Sequence, residues 1–236
     1  MMAMTEVLDA PAGSAQRSLR AATRRPFPRT PTGAERVGHD LWLSCGLFAA
    51  ALVYATMRYN VFKGVPWPDW PAYTFNKALA VASLLIIVIA VLRLASRRGR
   101  TQVLLASAGL LALAHSLLYF ALFNPTYFPR LFESGKLTFA GGLSMTLGAI
   151  LMAVMELGAR RGGAWRPSVR RQALALGAFV GGVHAALPAV ATWINVAGWP
   201  GGLPPITLIS FLAGTVALVA LWPPEQATIS DQSPKR

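Results

Sequence analysis

Two histidines lie inside long uncharged runs of the sequence, where an ionisable side chain is costly. His115 interrupts the run GLLALAHSLLYFALF, and His184 interrupts ALGAFVGGVHAALPAVATW. Ionisable residues at membrane depth are rare and mark functional sites by default. An imidazole there can bind a metal, or it can hydrogen-bond to a neighbouring helix. The third histidine, His39, precedes the first apolar run and is most simply a solvated residue.

The elements that position these histidines are predicted to be membrane helices. The chain has 236 residues, is 54% hydrophobic and only 13% charged, and has a mean hydropathy of +0.47. Its apolar runs are near the roughly 20 residues that a helix needs to cross a bilayer. The sequence therefore predicts an all-α integral membrane protein, a six-transmembrane-helix bundle. The predicted spans are residues 41–59, 73–92, 102–123, 137–157, 172–197 and 204–222.

The basic residues predict the orientation of this bundle. The net charge of +13 comes from Lys and Arg clustered in alternate connections, with seventeen on one side and three on the other. Basic loops stay on the cytoplasmic side, so both termini are predicted to be cytoplasmic. The same clustering argues against a nucleic-acid partner and makes the lipid bilayer the expected one. Residues 1–40 are predicted to be a disordered basic cytoplasmic tail, 41–222 the membrane domain and 223–236 a short cytoplasmic tail.

The two histidines are predicted to share one depth. Spans three and five run in the same direction. His115 lies 13 residues beyond Gln102, where span three begins, and His184 lies 13 residues beyond Arg171, the last inner charge before span five. At a rise of 1.5 Å per residue, both lie about 20 Å from the inner face. Small residues lie three and seven positions earlier on the same helical faces. These are Ala112 and Ala108 on span three and Gly181 and Gly177 on span five.

Two uses of those small residues stay open. They favour close helix–helix contact, or they leave room for a flat macrocycle whose iron is bound by both imidazoles. We expect the second arrangement, with His115 and His184 as haem ligands. A bare metal site is less favoured because no carboxylate lies near that depth. Arg58 and Lys77, at the outer ends of spans one and two, either pair with haem propionates or snorkel to the interface.

Cys45 is the only cysteine in the sequence. A disulfide framework, a CxxC redox pair and a cluster of thiolate ligands are therefore excluded within one chain. The histidines remain the expected redox-related residues.

The pattern of spans and histidines resembles a known superfamily. Six spans with histidines on the third and fifth, and the segments YNVFKGVPWPDWPAYTFNKALA and HSLLYFALFNPTYFPRLFESGKLTFAGGLS, are similar to the ferric reductase-like transmembrane domain. That superfamily includes the haem-binding membrane subunit of the periplasmic methionine sulfoxide reductase system. The resemblance covers residues 41–222 and implies a cytochrome b-like domain of the bacterial inner (plasma) membrane. It implies one b-type haem with His115 and His184 as axial ligands.

The expected function follows from this resemblance and its departures. Members with two haems carry a second histidine pair nearer the other face, where this chain has Gln102 and Arg171. We therefore expect one haem in the outer half, with a quinone or flavin at the inner side. No glycine-rich nucleotide fingerprint is present, so the electron donor is expected to be a partner protein or a quinol.

Two imidazoles would leave the iron no open position, which suits electron transfer to an acceptor at the outer face. We thus expect an oxidoreductase component for transmembrane electron transport rather than a complete enzyme. Two alternatives stay open: a non-redox membrane scaffold or transporter, and a quinone-binding subunit without haem.

Overall fold

The computed structural model describes residues 33–96, 101–161 and 165–221. Helices dominate this part of the chain, as expected where apolar backbone must satisfy its own polar groups. In chain order they are α1 (Gly33–Thr56), α2 (Asn76–Ala95), α3 (Gln102–Ala121), α4 (Phe139–Arg161), α5 (Pro167–Ala186) and α6 (Ile206–Val219). Each predicted span thus coincides with a helix.

Four segments of the described chain are long and apolar enough to cross a membrane. They are Gly33–Phe62, Trp67–Ala95, Gln102–Ala121 and Pro200–Val219, while α4 contributes a shorter apolar stretch, Phe139–Val154. The prediction of a helical protein is confirmed, and these four segments are consistent with a multi-pass membrane protein. The count of six spans and the cytoplasmic location of the termini stay predictions.

The first helix begins earlier than the sequence predicted. Residues 33–40 were assigned to the disordered tail, but α1 begins at Gly33. Asp40 lies buried in α1, and its carboxylate accepts a hydrogen bond from Arg93 of α2 at 2.5 Å. This ion pair lets an acidic residue enter the helix instead of remaining in a solvated segment. The rest of the predicted tail, residues 1–32, lies outside the described residues, as does the predicted tail from residue 223.

The fifth span is shorter than predicted at its end. The helix was expected to reach residue 197, but α5 ends at Ala186. Pro188 explains the difference, because proline has no amide proton to donate to the backbone oxygen of His184, four residues earlier. Short 3₁₀ turns follow at Val190–Thr192, Val196–Gly198 and Pro200–Gly202. His184 therefore lies in the last turn of α5.

Two π-helical turns connect α1 to α2. Met57–Phe62 extends α1, and Trp70–Phe75 leads into α2 after a 3₁₀ turn at Trp67–Asp69. The two turns are joined by a buried hydrogen bond of 2.6 Å from Thr74 Oγ1 to Asn60 Oδ1. Such turns are rare and occur frequently at functional sites. They determine which residues of α2 face α3.

Helix α2 forms the centre of the bundle, packing against α3, α5 and α6. Its side chains Ile86 and Ile87 are among the most fully buried in the described chain. Helices α5 and α6 approach closely through glycine, since a Cβ added to Gly214 would lie 2.6 Å from the carbonyl oxygen of Ala178. Close approach through small residues is how membrane helices commonly associate.

A short hairpin lies between α3 and α4. Strand β1 (Phe132–Glu133) pairs antiparallel with β2 (Lys136–Leu137). The two-residue turn, Ser134 and Gly135, has positive φ values of 49° and 75°, as the tightest hairpin turns require. The hairpin follows Arg130, a residue of the cationic cluster described below.

Candidate functional site

The imidazole of His115 is oriented by the first residue of α2. Its Nδ1 lies 2.7 Å from the side-chain Oδ1 of Asn76 and 3.2 Å from the Asn76 backbone oxygen. Both oxygens can only accept a hydrogen bond, so Nδ1 carries the proton and donates it. In the neutral ring the lone pair is then on Nε2. The π-helical turn that ends at Phe75 brings Asn76 into this position.

The imidazole of His184 is oriented in the same way by α4. Its Nδ1 lies 2.6 Å from the backbone oxygen of Ser144, which can only accept, so this Nδ1 also carries the proton. The hydroxyl of Ser144 donates in return to the backbone oxygen of His184 at 2.9 Å. One turn further along α4, a Cβ added to Gly148 would lie 3.2 Å from Cε1 and Nδ1 of the ring. Glycine thus lets the imidazole lie directly against the helix.

The two imidazoles lie close enough to interact electrostatically. Both are only partly exposed, and neither Nε2 has a hydrogen-bond partner among the described residues. An Nδ1 proton donated to an oxygen, with Nε2 left available, is the usual second-shell arrangement of a metal-binding histidine. The pair thus offers two neutral nitrogen donors.

The two imidazole nitrogens suit a metal whose remaining ligands come from a cofactor rather than from the protein. Within residues 33–96, 101–161 and 165–221, no group of three or more His, Cys, Asp and Glu side chains could hold a metal ion. Two imidazoles alone do not complete the four-coordinate shell of a zinc site. Haem iron, by contrast, would accept two imidazoles as its protein ligands. The donor set of the described residues is therefore compatible with a haem.

The small residues near the histidines are used for helix contact. A Cβ on Gly181 would lie 2.7 Å from Leu151 Cδ2, and one on Gly177 would lie 3.2 Å from Val154 Cγ1, so both glycines face α4. On α3, Ala108 and Ala112 are buried, and the backbone oxygen of Ala108 accepts a 2.8 Å hydrogen bond from Ser83 of α2. These contacts match the first of the two uses considered for the sequence. That the four residues also border a haem stays a prediction.

Arg58 and Lys77 have different surroundings. Arg58 is only 6% exposed, its guanidinium donates to the backbone oxygen of Leu203, and its Nε is buried without a hydrogen-bond partner. Lys77 follows Asn76, places its Nζ 3.3 Å from the centre of the Tyr73 ring, and interacts electrostatically with His115. The structure therefore brings Lys77 to the histidine site, whereas Arg58 is held by the segment that precedes α6.

Sequence reasoning missed two residues of this site. Ser144 and Gly148 lie on α4, which carries no histidine, and nothing in their spacing relates them to His184. Ser144 is one of the few polar residues in its apolar run, which is the only signal that could have identified it. Asn76, a polar residue next to Lys77, makes the direct contact with His115.

Comparison with known proteins assigns no family to this chain. No family model matches it, and no curated protein matches it either. The arguments about function therefore rest on the described side chains and on the resemblance seen in the sequence.

Proposed function

We propose that this chain is a membrane electron-transfer subunit that holds one b-type haem between His115 and His184. The proposal rests on one observation: the two imidazoles have the same tautomer and the same pattern of hydrogen bonds. Each donates its Nδ1 proton to an oxygen of a neighbouring helix, and each Nε2 has no partner in the described part of the chain. Such a haem would supply one-electron redox chemistry at this position. An acceptor at the outer face and a partner protein or quinol as donor complete the proposal.

The protein's own contribution is to fix and tune the two ligands. Donation from Nδ1 to an oxygen holds the ring orientation and would make Nε2 a more basic ligand for iron. Two imidazole ligands would leave no open position on the iron, so the site would suit electron transfer rather than oxygen binding. Lys77, within electrostatic reach of His115, remains the expected partner of a haem propionate, and Arg58 is the second predicted partner.

The tautomeric state also separates this proposal from a quinone site. A quinone oxygen accepts hydrogen bonds, so a histidine that binds it must donate. At both histidines the proton is already directed to the protein's own oxygen, and Nε2 offers a lone pair instead. Binding of an oxidised quinone would therefore require both rings to change their proton position or acquire a second proton. Haem iron requires neither change.

A non-redox scaffold accounts for the Nδ1 hydrogen bonds but not for the Nε2 atoms. In that alternative the two bonds, from α3 to α2 and from α5 to α4, simply stabilise helix pairs. Two partnerless Nε2 atoms within electrostatic reach of each other then have no role. The two functions differ in one direct observable, because a scaffold is colourless.

The test is the absorption spectrum of the detergent-purified protein, expressed with ample haem and recorded oxidised and then reduced with dithionite. We expect a sharp reduced spectrum of a b-type haem in the wild type and in His39→Ala. The spectrum is expected to be lost in His115→Ala and in His184→Ala. His39 is a matched control because its side chain is 70% exposed and its nearest carboxylate, that of Asp40, is 3.6 Å away.

A colourless wild type after expression with ample haem would refute the proposal. So would a spectrum that survives in both His115→Ala and His184→Ala, since the iron would then be bound elsewhere. Circular dichroism of each variant separates loss of the ligand from loss of the fold.

A further inference from the structure

Three cations surround one tyrosine at the end of the bundle that carries the π-helical turns. Lys63 donates from Nζ to the hydroxyl of Tyr73 at 3.2 Å, and Lys77 places its Nζ over the same ring. Arg130, which precedes the hairpin, acts electrostatically on both Tyr73 and Lys77. Tyr59 meets Tyr73 edge to face, with ring centres 5.3 Å apart. We call Lys63, Lys77, Arg130 and Tyr73 the cationic cluster.

No carboxylate of the described chain neutralises the cationic cluster. The ion pairs found in residues 33–96, 101–161 and 165–221 involve Asp40 of α1. Asp40 lies beside Arg93, at the opposite end of α2 from the cluster. Asp69 and Glu133, the acidic residues of the neighbouring connections, form none with the cluster. Like charges held together repel one another, and the aromatic faces compensate only partly for that repulsion. An anion placed among these groups would remove the repulsion.

The members of the cluster differ in exposure. Lys63 and Arg130 are exposed, whereas Lys77 and Tyr73 are partly covered. The Tyr73 hydroxyl accepts from Lys63, so its own proton remains available to a further acceptor. A ligand reaching the cluster from water would thus meet two exposed cations and a hydroxyl donor, with a third cation against the ring.

We infer that Lys63, Arg130 and the Tyr73 hydroxyl bind an anionic group, a carboxylate or a phosphate. Lys77 adds positive charge from its position against the Tyr73 ring. The chemistry is shared by a soluble small anion and by the headgroup of an anionic lipid. Lys63, Arg130 and the Tyr73 hydroxyl, which would contact the anion, are neither proposed iron ligands nor proposed partners of a haem propionate, so the site can be tested separately from the haem.

The test measures thermal unfolding of the full chain in nanodiscs of phosphatidylcholine alone, titrated with inorganic phosphate or with citrate at constant ionic strength. A parallel series replaces part of the lipid with phosphatidylglycerol. We expect an anion to raise the unfolding midpoint of the wild type in a saturable way. Lys63→Gln and Arg130→Gln are each expected to weaken that binding about tenfold, through loss of one charge-assisted hydrogen bond.

Two variants make the test specific. Lys136→Gln removes an exposed cation of the neighbouring hairpin and is expected to leave anion binding unchanged. Tyr73→Phe keeps the ring that faces Lys77 but removes the hydroxyl, and is expected to weaken binding without unfolding the chain. A titration of His115→Ala checks independence from the proposed function, since it should lose the haem spectrum and keep anion binding.

Stabilisation by phosphate or citrate in phosphatidylcholine would support a soluble ligand, and stabilisation by phosphatidylglycerol alone would support a lipid headgroup. Either result supports the proposed site if Lys63→Gln and Arg130→Gln reduce the stabilisation by the anion. The inference is overturned if no anion stabilises the wild type, or if Lys136→Gln weakens binding as much as Lys63→Gln.

Discussion

The contact between Gly148 and His184 gives the sharpest test of the site geometry. In Gly148→Ala the new methyl carbon would lie 3.2 Å from Cε1 and Nδ1 of the imidazole. Ordinary contacts of this kind are about 3.5–4.0 Å, so the ring must withdraw by about 0.3–0.8 Å. The Nδ1 to Ser144 oxygen distance of 2.6 Å leaves room for part of this movement. At about 3.1 Å the hydrogen bond would still be within its normal range.

The expected cost of this strain is therefore about 1 kcal/mol, the lower end of the range for overpacking. Gly142→Ala, in the same helix, is the matched control, because its Cβ would meet Leu137 at an ordinary 3.7 Å. Both substitutions bring the same gain in helix propensity, so their difference in unfolding free energy isolates the contact with the ring. Thermal unfolding in detergent, followed by circular dichroism, measures that difference. We expect Gly148→Ala to be the less stable variant.

A larger side chain at position 148 should require the His184 ring to move further than its hydrogen bond to Ser144 allows. In Gly148→Val the extra methyl groups would push the ring beyond hydrogen-bond distance of the Ser144 oxygen, with loss of ligand orientation. We expect Gly148→Val to lose the reduced haem spectrum and Gly142→Val to keep it. If the two valine variants are equally stable and equally coloured, the imidazole of His184 does not lie against Gly148 and the described geometry is wrong.

Two further predictions concern the framework around the site. Gly214→Ala is expected to destabilise the chain by about 1–3 kcal/mol, since its Cβ would lie 2.6 Å from the backbone oxygen of Ala178, which cannot move aside. Gly109→Ala, with nothing within 4 Å of the new Cβ, is the control in thermal unfolding, and equal midpoints would contradict the close approach of α5 and α6. Thr74→Val is expected to cost about 1–3 kcal/mol, because the buried Asn60 oxygen loses its donor between the two π-helical turns. Thr74→Ser restores a hydroxyl and should recover most of the unfolding midpoint; an unchanged midpoint in Thr74→Val would show that this hydrogen bond contributes nothing.

The helices could be predicted from the sequence because their signal is local. An apolar run of about 20 residues has few alternatives to a helix in a membrane, and each of the six predicted spans overlaps one. The ends were harder to predict. Pro188 ends α5 before the apolar run itself ends, and the partner that lets Asp40 enter α1 is Arg93, far away in the sequence.

The two histidines could be singled out from the sequence, but their surroundings could not. His115 and His184 could be identified because ionisable groups are conspicuous in apolar runs. Their hydrogen-bond partners, Asn76 and Ser144, lie on other helices, so their roles depend on how the helices rotate against one another. That rotation is influenced by the π-helical turns, which have no sequence signature comparable to an apolar run. The same reason explains why the glycines of α5 were assigned to a cofactor cleft while they contact α4.

Helix α2 contacts its neighbours at both ends. The number of residues between these two contacts therefore cannot change by even one without loss of a contact. Asn76 hydrogen-bonds to His115 of α3 at one end, and Arg93 hydrogen-bonds to Asp40 of α1 at the other. The two residues are 17 positions apart, which is roughly 25 Å along the helix axis. Inserting one residue between them would turn one end about 100° relative to the other, so both contacts could not be made together. Substitutions in α2 are therefore tolerated more easily than insertions or deletions. A change in the length of this helix would disturb the hydrogen bond between Asn76 and the imidazole of His115.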